Sequence, residues 1–98
     1  LHICKETMMR ATVFGKRIGL HNDKTTTGAT CLASILTVTN EGISILRLGD
    51  KTTRCPVCNE EGTIVTGEQG MILDGQKIAV EGSIVQCGCS YGKNRVTC

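Results

Sequence analysis

The sequence contains few of the large side chains that usually build a hydrophobic core. Only two of its 98 residues are aromatic, Phe14 and Tyr91, and it has no tryptophan and a single proline. A core must therefore come from isoleucine, leucine and valine, each of which contributes roughly 1.5–3 kcal/mol when fully buried. A chain of this length buries only about 60–65% of its unfolded surface, so we expect one small domain that needs further stabilisation.

Three further absences narrow the class of protein. A net charge of +2 is too small for the strongly basic face of a nucleic-acid-binding protein, so we expect no nucleic-acid partner. The chain has no apolar run near the roughly 18 residues that span a bilayer, so we expect no stable membrane insertion. Residues 1–7 lack the apolar segment of a signal peptide, so we expect none. We assign residues 1–15 to an N-terminal extension, in part non-native, and residues 16–98 to one domain.

The chain contains an internal repeat. The tetrapeptide Asp23–Thr26 returns unchanged as Asp50–Thr53. A looser similarity, at a slightly longer spacing, relates Asn40–Leu46 to Leu73–Val80. These matches predict three similar units, each with one corner, and the corners are 23–28, 50–58 and 82–89. The third corner has lost the Asp-Lys-Thr-Thr residues.

The segments between the corners have the pattern of short strands. Ile43 and Ile45, like Ile78 and Val80, alternate at the period of two that is typical of strands. Asp74-Gly75 and Asn40-Glu41-Gly42 are turn signals between apolar runs, and Asp-Gly is a strong predictor of a hairpin. Twelve glycines interrupt helical patterns, and only residues 29–36 could form a short helix. The sequence therefore predicts an all-β domain of short strands and hairpins.

The cysteines are abundant and clustered. Seven are present, and four of them form a C-x-x-C element, Cys55 and Cys58, and a C-x-C element, Cys87 and Cys89. Two such pairs at a distance are typical of a tetrahedral zinc site, because thiolates are soft ligands that suit Zn²⁺ and short loops bring two sulfurs to one ion. We expect one Zn²⁺ per chain, bound mainly by these four cysteines. His21 and Cys31 are candidate substitutes for one of the sulfurs.

Other functions are compatible with parts of the pattern. Cys31 could be a small buried core residue, and a zinc-ribbon-like module that binds nucleic acid or protein would also need the paired cysteines. A third alternative is a thiol oxidoreductase that uses Cys55 and Cys58, but such enzymes carry C-x-x-C at a helix N-terminus within a βαβ pattern, which the sequence lacks. No G-x-S-x-G, H-E-x-x-H or P-loop motif is present, and the chain has only two histidines. We expect no enzyme.

The order of the motifs resembles that of PAAR-repeat proteins. The segments that carry the resemblance are Leu48-Gly49-Asp50-Lys51-Thr52-Thr53-Arg54-Cys55-Pro56, then Gly62-Thr63-Ile64-Val65-Thr66-Gly67, and Leu73-Asp74-Gly75-Gln76-Lys77-Ile78-Ala79. The resemblance covers roughly residues 16–92. Three departures stand out. The Pro-Ala-Ala-Arg tetrapeptide is replaced by Ser44–Arg47 and Lys77–Val80, the first corner has Asn22 where the family has glycine, and Thr27 replaces a histidine that helps bind the metal in many members.

This resemblance implies a fold and a mechanical role. PAAR proteins are small cones with three-fold pseudosymmetry and a metal near the vertex, so it implies a metal-stapled cone. Their base caps the blunt end of the trimeric VgrG spike of the type VI secretion system, so the expected partner is a VgrG trimer that binds one monomer, and effector proteins are further expected partners. Such a protein is assembled in the bacterial cytoplasm and exported with the spike. The loss of the histidine at Thr27 implies a more sulfur-rich metal site.

Overall fold

A computed structural model describes residues 10–97, and all the regular structure within them is β. The strands are β1 (Thr12–Val13), β2 (Lys16–Arg17), β3 (Cys31–Leu32), β4 (Thr39–Asn40), β5 (Ile43–Ser44), β6 (Lys51–Arg54), β7 (Glu61–Ile64), β8 (Glu68–Leu73), β9 (Gln76–Ile78) and β10 (Val85–Gln86). The predicted all-β class is confirmed. The short helix considered for residues 29–36 is wrong, because Cys31 and Leu32 pair with Thr52 and Lys51 in a sheet. No helix in the described part of the chain could cross a membrane.

Three hairpins have the same tight turn. They are β1–β2, β4–β5 and β8–β9, and two residues connect the strands in each. Both turn residues have positive φ in all three cases: Phe14 and Gly15, Glu41 and Gly42, and Asp74 and Gly75. Two positive φ angles are the property of the type I′ turn, whose twist matches that of the flanking strands. The turns predicted at 40–42 and 74–75 are therefore present, and Phe14 and Gly15 form a third.

A closed ring of backbone hydrogen bonds joins the three units. Gly19 N–H donates to Ala79 (2.8 Å), Ala79 N–H to Leu46 (3.0 Å), and Leu46 N–H to Gly19 (2.9 Å). The step from Gly19 to Leu46 equals that between the two Asp-Lys-Thr-Thr copies, and the step from Leu46 to Ala79 equals that of the looser similarity. Ile18, Ile45 and Ile78, one position earlier, each form a bridge with a residue of a neighbouring unit. The chain therefore has a pseudo-three-fold axis through this ring.

Each corner is held by a polar side chain that folds back onto the backbone three residues earlier. Asp23 accepts from the N–H of Leu20 (2.8 Å), and Asp50 accepts from the N–H of Arg47 (2.8 Å). Ser83 does the same for Val80 at 3.0 Å. All three side chains are buried, and each satisfies a backbone donor that would otherwise be costly to bury. The third corner thus keeps the hydrogen bond although it has lost the Asp-Lys-Thr-Thr residues.

The core is divided into two small clusters. The first contains Val13, Ile18, Leu20, Ile45, Ile78 and Val80 and lies among the hairpins. The second contains Cys31, Leu46, Ile64, Ala79, Val85 and Val96 and lies around the four-stranded sheet, whose order is β10-β7-β6-β3. Small aliphatic side chains fill both clusters, in agreement with the scarcity of aromatic residues. Because Val13 packs in the first cluster, part of the segment assigned to the N-terminal extension contributes to the core.

Candidate metal centre

The two cysteine pairs lie together at one end of the four-stranded sheet. Cys55 and Cys58 are in the loop between β6 and β7, and Cys87 and Cys89 follow β10. Because β7 runs antiparallel to both β6 and β10, the last residues of β6 and β10 and the first residues of β7 lie at the same end of the sheet. The four sulfurs all lie within 4.8 Å of one another, and those of Cys55 and Cys89 are 3.7 Å apart.

Backbone geometry brings the two loops into contact. Cys55 N–H donates to Glu60 (2.9 Å), and Asn59 N–H donates back to Cys55 (2.7 Å), which closes the C-x-x-C loop into a tight turn. Asn59 has a φ of 61°, a conformation that asparagine tolerates better than most residues. Gly88 sits where the loops meet, since a Cβ atom there would lie 3.0 Å from the Cβ of Cys58 and from the Glu60 carboxyl carbon. A glycine between the C-x-C sulfurs therefore permits this close approach, and a side chain there would push against Cys58 and Glu60.

Three of the four sulfurs have a hydrogen-bond partner that is not a sulfur. Thr27 Oγ1 lies 3.1 Å from the Cys55 sulfur, and the Gly88 N–H donates to Cys58 at 3.2 Å. The Asn94 side-chain amide donates to Cys87 at 3.5 Å. Hydrogen bonds from the groups around a metal site orient its ligands and tune their charge. Thr27, at the position where the resemblance implies a histidine, thus contacts a candidate ligand through its hydroxyl and is not itself a candidate ligand.

In the absence of a metal ion, the pKa values of Cys55 and Cys89 are shifted in opposite directions. The hydrogen bond with Thr27 lowers the pKa of Cys55 to about 6, assisted by the backbone N–H groups of Cys58 and Val57. Burial raises the pKa of Cys89 to about 12, and its hydrogen bond with Cys55 acts in the same direction. The metal-free cluster therefore holds a Cys55 thiolate next to a Cys89 thiol. A bound cation would supply the positive charge that lets all the sulfurs ionise.

The spacing of the sulfurs fits a tetrahedral ion. Zinc–sulfur bonds of about 2.3 Å at tetrahedral angles place the sulfurs about 3.8 Å apart. The distance of 3.7 Å between the Cys55 and Cys89 sulfurs meets this value, and the 4.8 Å limit on all pairs requires only small adjustments. Four thiolate donors with no carboxylate are the soft donor set that suits Zn²⁺. The residues present therefore fit a structural zinc ion.

The other candidate ligands lie elsewhere. His21 accepts the Ala33 N–H at its Nδ1 atom (2.9 Å) and is not part of the sulfur cluster. Cys31 is fully buried in the second core cluster. Burial, followed by the negative charges of Asp23 and Asp50, raises the pKa of Cys31 to about 12, so its environment is that of a core thiol. Cys4 and Cys98 lie outside the described residues.

The groups around the sulfurs were harder to find from the sequence than the cysteines. Thr27 was noticeable only as a departure from a family pattern, and its contact with Cys55 depends on the fold. Asn94 is fully buried, and nothing in the sequence distinguishes it from an ordinary turn asparagine. Gly88 was recognisable from the sequence, because a glycine between the two cysteines favours the tight turn that the C-x-C loop needs.

Comparison with known proteins agrees with the geometry. The family model described as the PAAR motif matches residues 21–93 of the chain. No curated protein and no solved structure matches. The matched span contains the three corners, the hydrogen-bonded ring from Leu46 to Ala79 and all four clustered cysteines. The family match covers well over half of the chain and confirms the resemblance seen in the sequence, so the protein belongs to the PAAR motif family.

Proposed function

We propose that this chain is a non-enzymatic cap for a three-fold protein spike, with one Zn²⁺ held by Cys55, Cys58, Cys87 and Cys89. Membership in the PAAR motif family supports a general role at the spike tip of the type VI secretion system. The partner in this proposal is the blunt end of a VgrG trimer, and the complex contains one chain per trimer. The chain would be assembled in the bacterial cytoplasm and exported with the spike.

The closed ring of Gly19, Leu46 and Ala79 is the observation that carries the proposal. A single chain can meet three identical subunits equivalently only if it offers three similar edges related by a three-fold axis. The ring supplies that axis, and the three type I′ hairpins repeat around it. A monomer with these properties matches the symmetry of a trimer without forming a trimer itself.

The two ends of the axis differ in a way that suits a cap. In each unit the hairpin precedes the ring residue and the corner follows it, and the four clustered cysteines lie in the second and third corners. The hairpin cluster and the sheet cluster form separate cores, which agrees with two successive layers. We assign the hairpin layer to the spike. Several apolar side chains are exposed in or near it: Phe14, Leu36, Met71 and Ile72.

The metal centre would stabilise the opposite layer. Few residues can form a core where a structure narrows, and metal binding contributes on the order of 10 kcal/mol in small zinc domains. The free energy of metal binding exceeds the roughly 1.5–3 kcal/mol that one more buried aliphatic side chain would contribute to the sheet cluster. In this proposal the ion links the loop after β6 to the loop after β10 and fixes the tip.

A binding experiment with matched variants tests the proposal. Purified chain is mixed with a VgrG trimer, and the mass of the complex is measured by light scattering after size-exclusion chromatography. We expect one chain per trimer. Ile72→Asp in the hairpin layer should weaken binding at least tenfold, whereas Val57→Asp in the cysteine loop should leave it unchanged. The two side chains are equally exposed, at 58% and 59%. No complex, or equal effects of the two variants, would contradict the proposal.

A further inference from the structure

The four clustered sulfurs differ in their surroundings, and the difference singles out Cys89. Cys55, Cys58 and Cys87 have partners in Thr27, the Gly88 N–H and Asn94, respectively. Among residues 10–97, the partners of the Cys89 sulfur are other sulfurs. Hydrogen bonds withdraw electron density from a thiolate and lower its nucleophilicity. Of the four clustered sulfurs, that of Cys89 therefore keeps the highest nucleophilicity when a metal ion is bound.

Access and distance point to the same residue. Cys55 is fully buried, whereas Cys89 is half-buried and can be reached by a small molecule from solvent. The sulfurs of the two residues are 3.7 Å apart. A disulfide has an S–S bond of about 2.05 Å, so its formation requires an approach of about 1.7 Å, which side-chain rotation in two loops can supply. Cys55 is therefore well placed to react with an oxidised Cys89.

We propose that Cys89 is an oxidation site, at which a peroxide such as hydrogen peroxide converts Cys89 and Cys55 into a disulfide. The inference rests on the proposed function only in that it concerns the same sulfur cluster. It adds a covalent state to a centre that would otherwise hold only a metal ion. The chemical class of the reactant is a small hydroperoxide, and the product is an intramolecular disulfide between the two cysteine loops.

The reaction balances in two steps. Cys89 reacts as the thiolate, which forms in the metal-free chain when the thiol releases its proton to solvent. The thiolate attacks one peroxide oxygen, so that an S–O bond forms, the O–O bond breaks and hydroxide leaves. The Cys55 thiolate then attacks the Cys89 sulfur, so that the S–S bond forms, the S–O bond breaks and a second hydroxide leaves. The two sulfurs together lose two electrons, the peroxide gains them, and two protons convert the hydroxides to water.

The disulfide would replace the metal-mediated link between the two cysteine loops with a covalent bond. It removes two of the four thiolate donors, so metal affinity should fall sharply, because Cys58 and Cys87 alone cannot complete a tetrahedral site. The disulfide still joins the loop after β6 to the loop after β10, which are the loops that the ion would join. The tip would thus remain cross-linked where the surroundings are oxidising, the condition under which disulfides persist.

Peptide mapping tests the inference on the full chain. Zinc-loaded and chelator-treated protein are each exposed to a small excess of hydrogen peroxide, alkylated and digested with trypsin without reduction. Trypsin separates the peptide Cys55–Lys77 from Ile78–Lys93, and places Cys31 in a third peptide. We expect a cross-link between the first two, assigned to Cys55 and Cys89 by fragmentation. In the zinc-loaded arm, a colorimetric metal indicator should register release of about one ion per cross-link.

Matched variants decide which sulfurs react. Cys89→Ser should abolish the cross-link, whereas Cys87→Ser should keep it, although the two residues lie two positions apart in the same loop. Disulfides within either C-x-x-C or C-x-C pair, a cross-link that survives Cys89→Ser, or cysteines unchanged by peroxide would overturn the inference. The map of the unmutated protein gives this answer even if a variant fails to fold. The peptide map also gives this answer if the chain binds neither zinc nor VgrG. A failure of the oxidation inference can therefore be distinguished from a failure of the proposed function.

Discussion

Replacing Leu46 with alanine should destabilise the protein more than any other single truncation around the ring. Leu46 is fully buried on the pseudo-three-fold axis, and the equivalent positions are Gly19 and Ala79. A Cβ atom at Gly19 would lie 3.1 Å from Leu46 Cδ1, so the leucine side chain occupies the space that its two partners leave. Leu→Ala substitutions in cores cost about 2–5 kcal/mol, and we expect about 3–5 kcal/mol here, because neither partner has a side chain that can fill the cavity.

Urea unfolding followed by circular dichroism measures this effect, since the chain has no tryptophan to report by fluorescence. The control is Leu36→Ala, which truncates a 73% exposed leucine and should change the free energy of unfolding by less than about 0.5 kcal/mol. Zinc is kept saturating in all samples so that metal loss does not contribute.

A compensating substitution tests the pseudosymmetry itself. Ala79→Leu alone should destabilise by roughly 1–3 kcal/mol, because it overpacks the axis. In the Leu46→Ala background the same change moves the leucine one position around the ring, and we expect it to recover at least about 2 kcal/mol. Purely additive effects of Leu46→Ala and Ala79→Leu would refute the argument that ring positions share one central space.

Three further predictions concern the metal centre and the core thiol. Thr27→Val should weaken zinc binding by about 10–100-fold in a chelator competition, because it removes the hydroxyl beside Cys55, and unchanged affinity would contradict this role. Gly88→Ala should weaken zinc binding as well, whereas Gly70→Ala should not, since the atoms nearest to a Cβ at Gly70 belong to the exposed Phe14 ring, which can swing away. The buried Cys31 thiol, with its pKa raised from 9.0 to about 12, stabilises the fold below pH 9 and loses that contribution as the pH rises towards 12. Cys31→Ala should therefore flatten the alkaline fall in the free energy of unfolding, and an unchanged pH profile would count against this.

Parts of the fold were predictable from the sequence because they depend on local chemistry. Asp74-Gly75 favours positive φ at both turn positions, so the hairpin there follows from residue type alone. The Phe14-Gly15 turn has the same geometry, yet phenylalanine is a poor residue for a φ of 51°, so residue type alone does not predict this turn. Similarly, the two repeat spacings were visible in the sequence, but the ring was not, since its hydrogen bonds join backbone atoms of unlike residues.

The candidate site divides in the same way. Its four cysteines could be selected from the spacing within each pair, because short loops place two sulfurs near one point. Which groups surround the sulfurs could not be predicted, since Thr27 and Asn94 reach them from other parts of the chain. The hydrogen bond of Ser83 at the third corner was also not predicted. Its hydroxyl accepts the same kind of backbone hydrogen bond that a carboxylate accepts at the other two corners, although the residue types differ.

X-ray absorption at the zinc edge tests the central claim most directly. The freshly purified, zinc-loaded chain should give a single shell of four sulfur atoms at about 2.3 Å, with no nitrogen or oxygen scatterer in that shell. Metal analysis of the same sample should give one zinc ion per chain. A shell that includes histidine nitrogen, fewer than four sulfurs, or a sample that holds no zinc would contradict a tip stapled by Cys55, Cys58, Cys87 and Cys89.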